Sequence, residues 1–259
     1  MLLNKIKEEE EGYIIEYNIP FTGIMVVQSL PSYETQTGKE LYDDIIDRHC
    51  ERLGYNSFFR NPYSKEEFKD VLNQIIDAIL NKKHYWIIHL EMHGSENGNG
   101  LVLASGELVT WEELGRYCRP INIHLHNTLV ITLAACNGIN FYNAADFTKP
   151  APFGIIVGPK QNIYNSDLLR DFTNFYDLLL CKFDLAPAIE TLNIHDDGCK
   201  YSVLSAGLLF LKLRELAEAH PFNYSHLNRP QKREKMKDEN HPLSGERYWT
   251  KLRKIFLME

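Results

Sequence analysis

Two apolar segments of this chain each end in a side chain capable of acid–base or nucleophilic chemistry, with a glycine close behind. The first segment runs from Tyr85 to Met92 and is closed by His93-Gly94, and the second runs from Thr128 to Ala135 and is closed by Cys136-Asn137-Gly138. Each run of about eight residues has the length of a buried strand. Because the carboxyl ends of parallel strands meet at one edge of a sheet, two such strands would bring an imidazole and a thiol together. The pattern predicts a Cys/His hydrolase.

The chemistry of such a pair assigns a role to each residue. A cysteine attacks a carbonyl carbon as the thiolate, so His93 would take the proton of Cys136 and later pass it to the leaving amine. The main-chain N–H groups of Gly94 and Cys136 are the natural donors to the developing oxyanion, because glycine lets substrate approach the main chain closely. No separate acid that would orient His93 is evident, although Glu91 alternates to the same side of its strand. The predicted reaction requires no metal and no organic cofactor.

The two strand ends resemble those of the caspase-like cysteine peptidases, which include caspases, metacaspases, separases and bacterial CHAT-type proteases. In that group one apolar strand ends in His-Gly, and a later one ends in Ala-Cys or Ser-Cys. Here His93 and Cys136 lie 43 residues apart, close to the spacing of about 50 in caspases. The run Leu133-Ala-Ala-Cys136-Asn-Gly138 is similar to the bacterial CHAT pattern. Over roughly residues 20–218 the resemblance implies a caspase-hemoglobinase-like fold and a cysteine endopeptidase with a His93/Cys136 dyad.

The residues that would set substrate preference are left open. Ala134 stands where animal caspases carry glutamine and metacaspases carry aspartate. The family usually builds one wall of its specificity pocket just after the third apolar strand, which here is followed by Lys160. That lysine would favour an acidic substrate residue, whereas Asp146 or Asp167 would favour a basic one. A solvated loop charge is the alternative for all three.

The rest of the pattern predicts the elements that would position these side chains. Apolar runs predict further strands over 13–17, 21–30, 55–59, 153–157 and 201–206, and a hairpin over 101–109. Helical periodicity and capping residues predict helices over 41–53, 64–80, 110–118, 167–180, 185–192 and 208–217. Pro120 is expected to end the third of these. The alternation predicts an α/β fold, a three-layer α/β/α sandwich around a mostly parallel sheet.

Composition restricts the class of protein. The chain has 259 residues, of which 44% are hydrophobic and 24% charged, as expected for a globular protein. It has no apolar run of the ~20 residues that a membrane span needs. The N-terminus lacks the apolar core of a signal peptide, and five scattered cysteines do not form a disulfide framework, so a reducing cytoplasm is expected. A net charge of −7 argues against general nucleic-acid binding.

The charge is unevenly distributed, and this suggests two regions. Residues 229–259 hold nine Lys or Arg and five acidic residues, although the chain as a whole is acidic. We therefore expect a caspase-like peptidase domain over 1–219 and a basic, polar tail over 220–259. Late aromatic and aliphatic residues make that tail a candidate docking helix, with a solvated terminus as the alternative.

The resemblance also implies partners. Stand-alone bacterial proteases of this type often process a specific partner protein, sometimes a toxin or pore-former in antiviral defence. The expected partners are thus a protein substrate, which could be encoded nearby, and an activating partner, with no nucleic acid and no membrane.

Three other hypotheses compete with the peptidase. His84, His89 and His93, or His124 and His126 with Cys136, would offer zinc ligands, but neither set has the spacing of a known zinc motif. A catalytically silent caspase-like scaffold or interaction module would keep the fold without the reaction. A Cys/His amidase acting on small amides would keep the dyad and leave proteins uncut.

Overall fold

The computed structural model of the protein describes residues 5–9, 12–16, 21–82, 85–146, 149–194 and 200–211. For residues 5–16 and 81–82 the description covers the backbone alone. The predicted tail over 220–259 and most of the helix predicted over 208–217 lie outside the described residues.

Most of the described strands belong to one mixed sheet with the order β10-β9-β8-β5-β3-β4. Its strands are β3 (Gly23–Ser29), β4 (Asn56–Arg60), β5 (Trp86–Gly94), β8 (Val130–Ala134), β9 (Ile155–Pro159) and β10 (Tyr201–Ser205). All neighbours on this path are parallel except β9 and β10, which are antiparallel. A short hairpin of β6 (Gly100–Val102) and β7 (Leu108–Thr110) joins the end of β5. Strands β1 (Lys5–Glu9) and β2 (Gly12–Glu16) form a separate antiparallel pair. The predicted α/β class and mostly parallel sheet are confirmed.

Helices cover both faces of the sheet. One face is covered by α3 (Lys65–Lys82) and α4 (Trp111–His124). The other is covered by α5 (Asn165–Lys182), α6 (Leu185–Thr191) and a helix made of α1 (Thr37–Leu41), a π-helical turn (Tyr42–Ile46) and α2 (Asp47–Leu53). Alternate residues of β5 enter the two cores, with Ile88 on the α3/α4 side and Ile87 on the α5 side. The continuous apolar runs are explained by this burial on both faces.

Local signals in the sequence explain several boundaries. Gly54 takes a left-handed conformation, with φ of 68°, directly after α2, as a glycine C-cap does. Thr110 and Glu113 form the predicted capping box at the start of α4. At α3, Ser64 accepts from the main-chain N–H of Glu67, but the Glu67 carboxylate accepts from Tyr63 rather than Ser64.

Two local predictions were wrong. Pro120 does not end α4, which continues to His124, because Ile121 and Leu125 beyond it are buried in the core and their burial offsets the lost hydrogen bond. The second concerns the segment after β8, where polar residues with Pro150 and Pro152 predict a loop. It contains a 3₁₀ helix, Gly138–Ala144, that buries apolar side chains such as Phe141. No helix in the described part of the chain is long and apolar enough to cross a bilayer.

Candidate active site

The two predicted strand ends meet at one edge of the sheet. Strands β5 and β8 are adjacent and parallel, and each of their register pairs is separated by 43 residues, as with Ile87 and Val130. His93 and Cys136 have the same separation, although both lie just past the last paired residues. The main chains touch directly, because a Cβ added to Gly94 would lie 2.0 Å from the carbonyl oxygen of Cys136. Gly94 is thus required for this close approach, since only a hydrogen fits there.

His93 is held by an acid that sequence analysis missed. Its Nε2 lies 2.8 Å from Oε2 of Glu34, and the side chains of His93 and Glu34 are 45% and 25% exposed. Glu34 lies in the loop after β3, the strand next to β5 in the sheet. With Nε2 bonded to a carboxylate, Nδ1 is the ring nitrogen left to exchange a proton. Glu91, the acid that the strand pattern offered, is buried beneath this position and contacts His89 instead.

Cys136 occupies a tight turn between β8 and the 3₁₀ helix. The N–H of Gly138 donates to the carbonyl of Ala135 at 2.9 Å, and Asn137 takes the left-handed conformation with φ of 56°. The positive φ therefore falls on Asn137 and not on the glycine that follows it. The main-chain N–H of Ile163 donates to Sγ of Cys136 at 3.5 Å, and the thiol faces the Ile163 carbonyl oxygen at 3.8 Å. Sγ of Cys136 thus lies against the main chain of the loop between β9 and α5.

The main-chain N–H groups of Gly94 and Cys136 were the predicted oxyanion donors. Within the described part of the chain, the N–H of Cys136 donates to no acceptor. The N–H of Ser95 donates to Gly100 across the β5–β6 turn at 2.9 Å, while Gly94 is paired with Leu101. Because hydrogen-bonded and non-hydrogen-bonded pairs alternate in an antiparallel ladder, the N–H of Gly94 points away from β6. Neither donor is committed to the hairpin or the turn.

The side chains of His93 and Cys136 each contact a different partner. Among the described contacts, the imidazole is bonded to Glu34 and the thiol to Ile163, and no hydrogen bond joins His93 to Cys136. Both residues lie on the α5 side of the sheet, because Glu34 precedes α1 and Ile163 precedes α5. Catalytic hydrogen bonds are often long without substrate and tighten when it binds. The arrangement can therefore supply a base and a nucleophile on the same face.

The other described cysteines differ from Cys136 in environment. Cys50 and Cys118 are fully buried, and burial raises the pKa of each thiol to about 12. Cys181 is exposed, on α5. Cys136 is half-buried and is the described cysteine that combines access with a main-chain donor.

The three residues proposed to shape specificity have different surroundings. Asp146 pairs with Lys149 at 2.8 Å, and Asp167 is neutralised by Arg170 at 3.0 Å and Lys200 at 3.4 Å. Lys160 makes no ion pair with any described residue.

Lys160 directly follows β9, at the start of a loop that reaches the Cys136 turn. The loop that it begins contacts the Cys136 turn, since the N–H of Asn137 donates to the carbonyl of Gln161 at 3.2 Å and the Asn137 amide contacts Asn162 at 3.0 Å. Lys160 therefore combines a charge without an ion pair among the described residues with a place in the loop that contacts the Cys136 turn.

Among the described residues, the histidines considered as zinc ligands do not belong to a cluster that could hold a metal ion. Both ring nitrogens of buried His89 have partners, Thr132 and Glu91, and His84 lies outside the described residues. His124 and His126 are exposed at the end of α4, on the face opposite α5.

A different trio, His49, Asp177 and Cys181, places its donor atoms within 4.8 Å of one another. Arg52 contacts Nδ1 of His49 at 2.7 Å and can only donate, so the ring proton sits on Nε2 and points to Asp177. The 3.0 Å contact between Nε2 of His49 and Oδ1 of Asp177 is therefore a hydrogen bond between α2 and α5, and it accounts for the two side chains without a metal ion.

No protein-family model matches the chain, and no curated protein matches it significantly.

Proposed function

We propose that the protein is a cytoplasmic cysteine endopeptidase of the caspase-like type that works by acyl transfer. The observation that carries the proposal is the direct contact of the two strand ends, where the main chain of Gly94 meets that of Cys136. The Glu34–His93 hydrogen bond supports it, because a base oriented by an acid next to a cysteine is the arrangement that activates nucleophiles. A reducing compartment would keep the thiol available.

The reaction follows from these groups. Substrate binding brings the thiol from Ile163 to the imidazole, and Nδ1 of His93 takes the Sγ proton while Glu34 stabilises the imidazolium. The thiolate forms a C–S bond to the scissile carbonyl carbon, and the displaced electron pair goes to oxygen, which the N–H groups of Gly94 and Cys136 bind. The C–N bond breaks as His93 protonates the amine. Water then hydrolyses the thioester, with His93 first taking the water proton and then returning it to sulfur.

Lys160 supports a preference for an acidic residue at the cleavage site. It is the one of the three candidate charges without an ion pair among the described residues, and its loop contacts the Cys136 turn. An acidic substrate side chain would neutralise it. Cleavage of a partner protein encoded nearby, as in antiviral defence, is the setting that the family resemblance suggests.

Proteolysis of neighbouring gene products and of a whole-cell lysate tests the proposal. Wild type and Cys136→Ala would be compared, with the new N-termini sequenced. We expect cuts with wild type only, preceded by acidic residues and shifted to other residues in Lys160→Glu. Cuts that persist in Cys136→Ala would refute the peptidase. Absence of cutting together with absence of selective labelling at Cys136 would favour the catalytically silent scaffold, and labelling without cutting of proteins would favour an amidase.

A further inference from the structure

A chain of buried polar side chains lies beneath the dyad on the α5 side of the sheet. His89 and Glu91 on β5, and Thr132 on β8, are each less than 5% exposed. They occupy the positions two and four residues before His93 and four before Cys136. Burying such groups in a core costs free energy unless every one is paired. Apolar side chains would fill the same layer, so the fold alone does not account for these residues.

The buried groups form one continuous chain of hydrogen bonds. The hydroxyl of Tyr176 on α5 lies 2.7 Å from Thr132 Oγ1, which lies 2.9 Å from Nδ1 of His89. Nε2 of His89 lies 3.3 Å from Oε2 of Glu91. The other oxygen of Glu91 accepts from the hydroxyl of Thr37, which is 3% exposed. The chain thus begins on α5, crosses β8 and β5, and ends at the first residue of α1.

Thr37, the last residue of this hydrogen-bonded chain, lies three residues after Glu34. The loop over 31–36 is tied down from the other side as well, because the Gln36 amide donates to the carbonyl oxygens of Pro31 and Glu34, both at 2.9 Å. Gln36 in turn accepts from Gln28, which is buried on β3. The fit at the start of the helix is close, since a Cβ at Gly38 would lie 2.8 Å from Oε2 of Glu91.

We propose that Thr37, anchored on Glu91 by this buried chain, is a positioning residue that holds Glu34 against His93. The inference rests on the proposed function, because it concerns the same dyad. The loop that carries Glu34 is fixed at two points, Thr37 on Glu91 and Gln36 on Gln28. A carboxylate half-exposed at a loop would otherwise sample many orientations, and small misplacements of a catalytic group are costly in rate.

An isosteric pair of variants tests the proposal in the full chain. Thr37→Val removes the hydroxyl and keeps the shape, whereas Thr37→Ser keeps the hydroxyl. The readout is the alkylation rate of Cys136 by iodoacetamide, measured peptide by peptide, with the exposed Cys181 as an internal reference. We expect Thr37→Val to slow Cys136 about ten-fold while Thr37→Ser stays close to wild type and Cys181 does not change.

A double-mutant cycle with Glu34→Gln separates positioning from general stability. If Thr37 acts through Glu34, adding Thr37→Val to Glu34→Gln should slow the alkylation of Cys136 by less than about a further two-fold. An equal loss in both backgrounds, or no loss in Thr37→Val, would overturn the inference. Should Thr37→Val fold poorly, Gln36→Met breaks the second anchor with little change in volume, and the same non-additivity is expected.

His93→Ala distinguishes the two levels of failure. If it slows Cys136 while Thr37→Val and Gln36→Met do not, the positioning inference fails and the proposed reaction stands. If His93→Ala leaves the Cys136 rate unchanged, the proposed reaction fails and the inference fails with it.

Discussion

At the scale of single residues, Glu34 is the acid that orients the imidazole of His93. Its carboxylate lies 2.8 Å from Nε2 of His93, and in the proposed reaction it would fix the tautomer and stabilise the imidazolium that forms when the thiol loses its proton. We expect Glu34→Gln to lower the alkylation rate of Cys136, and peptidase turnover, about ten- to a hundred-fold. Glu96→Gln, at an exposed position near the same edge, is the matched control. Equal rates in all three proteins would contradict a role for Glu34.

Gly94 gives a second prediction at this scale. A methyl group there would collide with the carbonyl of Cys136, so Gly94→Ala must separate the strand ends and reduce Cys136 labelling by at least about ten-fold. Gly106→Ala is the control, because that glycine has φ of 83° and open space around it. It should cost about 1 kcal/mol of stability through backbone strain alone. Labelling rates and thermal unfolding of both variants check this, and normal labelling of a folded Gly94→Ala would refute it.

Sequence reasoning could place His93 and Cys136 at adjoining strand ends but did not point to Glu34. His93 and Cys136 each follow an apolar run that ends in a recognisable way, and parallel pairing of adjacent strands brings them together. Glu34 lies in a polar loop with no periodicity, 59 residues from His93. Its partner is decided by the order of strands, in which β3 lies next to β5. Short connections favour such neighbours but do not specify which loop side chain reaches the histidine.

At the scale of elements, the capping box of α4 gives a prediction that is independent of activity. Thr110 accepts from the N–H of Glu113, and the Glu113 carboxylate accepts from the N–H of Thr110. Thr110→Ala should lower the free energy of unfolding by about 1 kcal/mol, and Thr110→Ser should lower it much less. Neither variant should alter Cys136 labelling, because α4 packs on the face of the sheet opposite α5. Thermal unfolding checks this, and a large labelling change in Thr110→Ala would contradict the placement of α4.

The Thr110–Glu113 capping box also makes the free energy of unfolding depend on pH in the acid range. The Thr110 N–H and Lys65 lower the pKa of the Glu113 carboxyl. A carboxyl whose pKa is lower in the folded state stabilises the protein above its unfolded pKa of about 4.3 and loses that contribution as the pH falls. Glu113→Gln should therefore flatten the stability profile below that pH.

The elements that sequence reasoning misjudged share one physical cause. Pro120 is a local signal that ends helices, and the segment after Cys136 contains polar residues and prolines typical of loops. In both places burial prevailed over the local preference, with Ile121 and Phe141 in the core. Capping residues and glycine C-caps gave correct boundaries because they act within a few residues, whereas tertiary packing is not encoded locally.

At the scale of the whole molecule, the two cores bury thiols that should make the protein sensitive to alkali. Burial raises the pKa of Cys118 to about 12, above the value of about 8.5 for an unfolded thiol. The thiol therefore stays protonated to higher pH in the folded state than in the unfolded state. Its contribution to the free energy of unfolding is complete below pH ~8.5 and is lost as the pH rises toward 12.

Denaturant unfolding between neutral and alkaline pH checks that expectation. Cys118→Ala should reduce the slope of unfolding free energy against pH by about 1.4 kcal/mol per pH unit above the unfolded pKa. Cys181→Ala, at an exposed position, should leave the slope unchanged. An unchanged slope in Cys118→Ala would contradict the buried, protonated thiol.

The sequence predicts the α/β fold class but not the order in which the strands lie in the sheet. Alternating strands and helices predict a parallel sheet with helices on both faces, and the described strands and helices have that form. The strand order, the separate β1–β2 hairpin and the antiparallel β10 depend on contacts between distant residues, which periodicity does not carry.

The most direct test of the central claim is the ratio of alkylation rates at Cys136 and Cys181 in one molecule. Both are accessible, but Cys136 has His93 on the adjoining strand end and a main-chain donor to its sulfur, whereas His49 beside Cys181 is already bonded to Arg52 and Asp177. At slightly acid pH we expect Cys136 to react at least about ten-fold faster than Cys181 in wild type, and no faster in His93→Ala. Equal rates in wild type, unaffected by His93→Ala, would contradict a Cys136/His93 catalytic dyad.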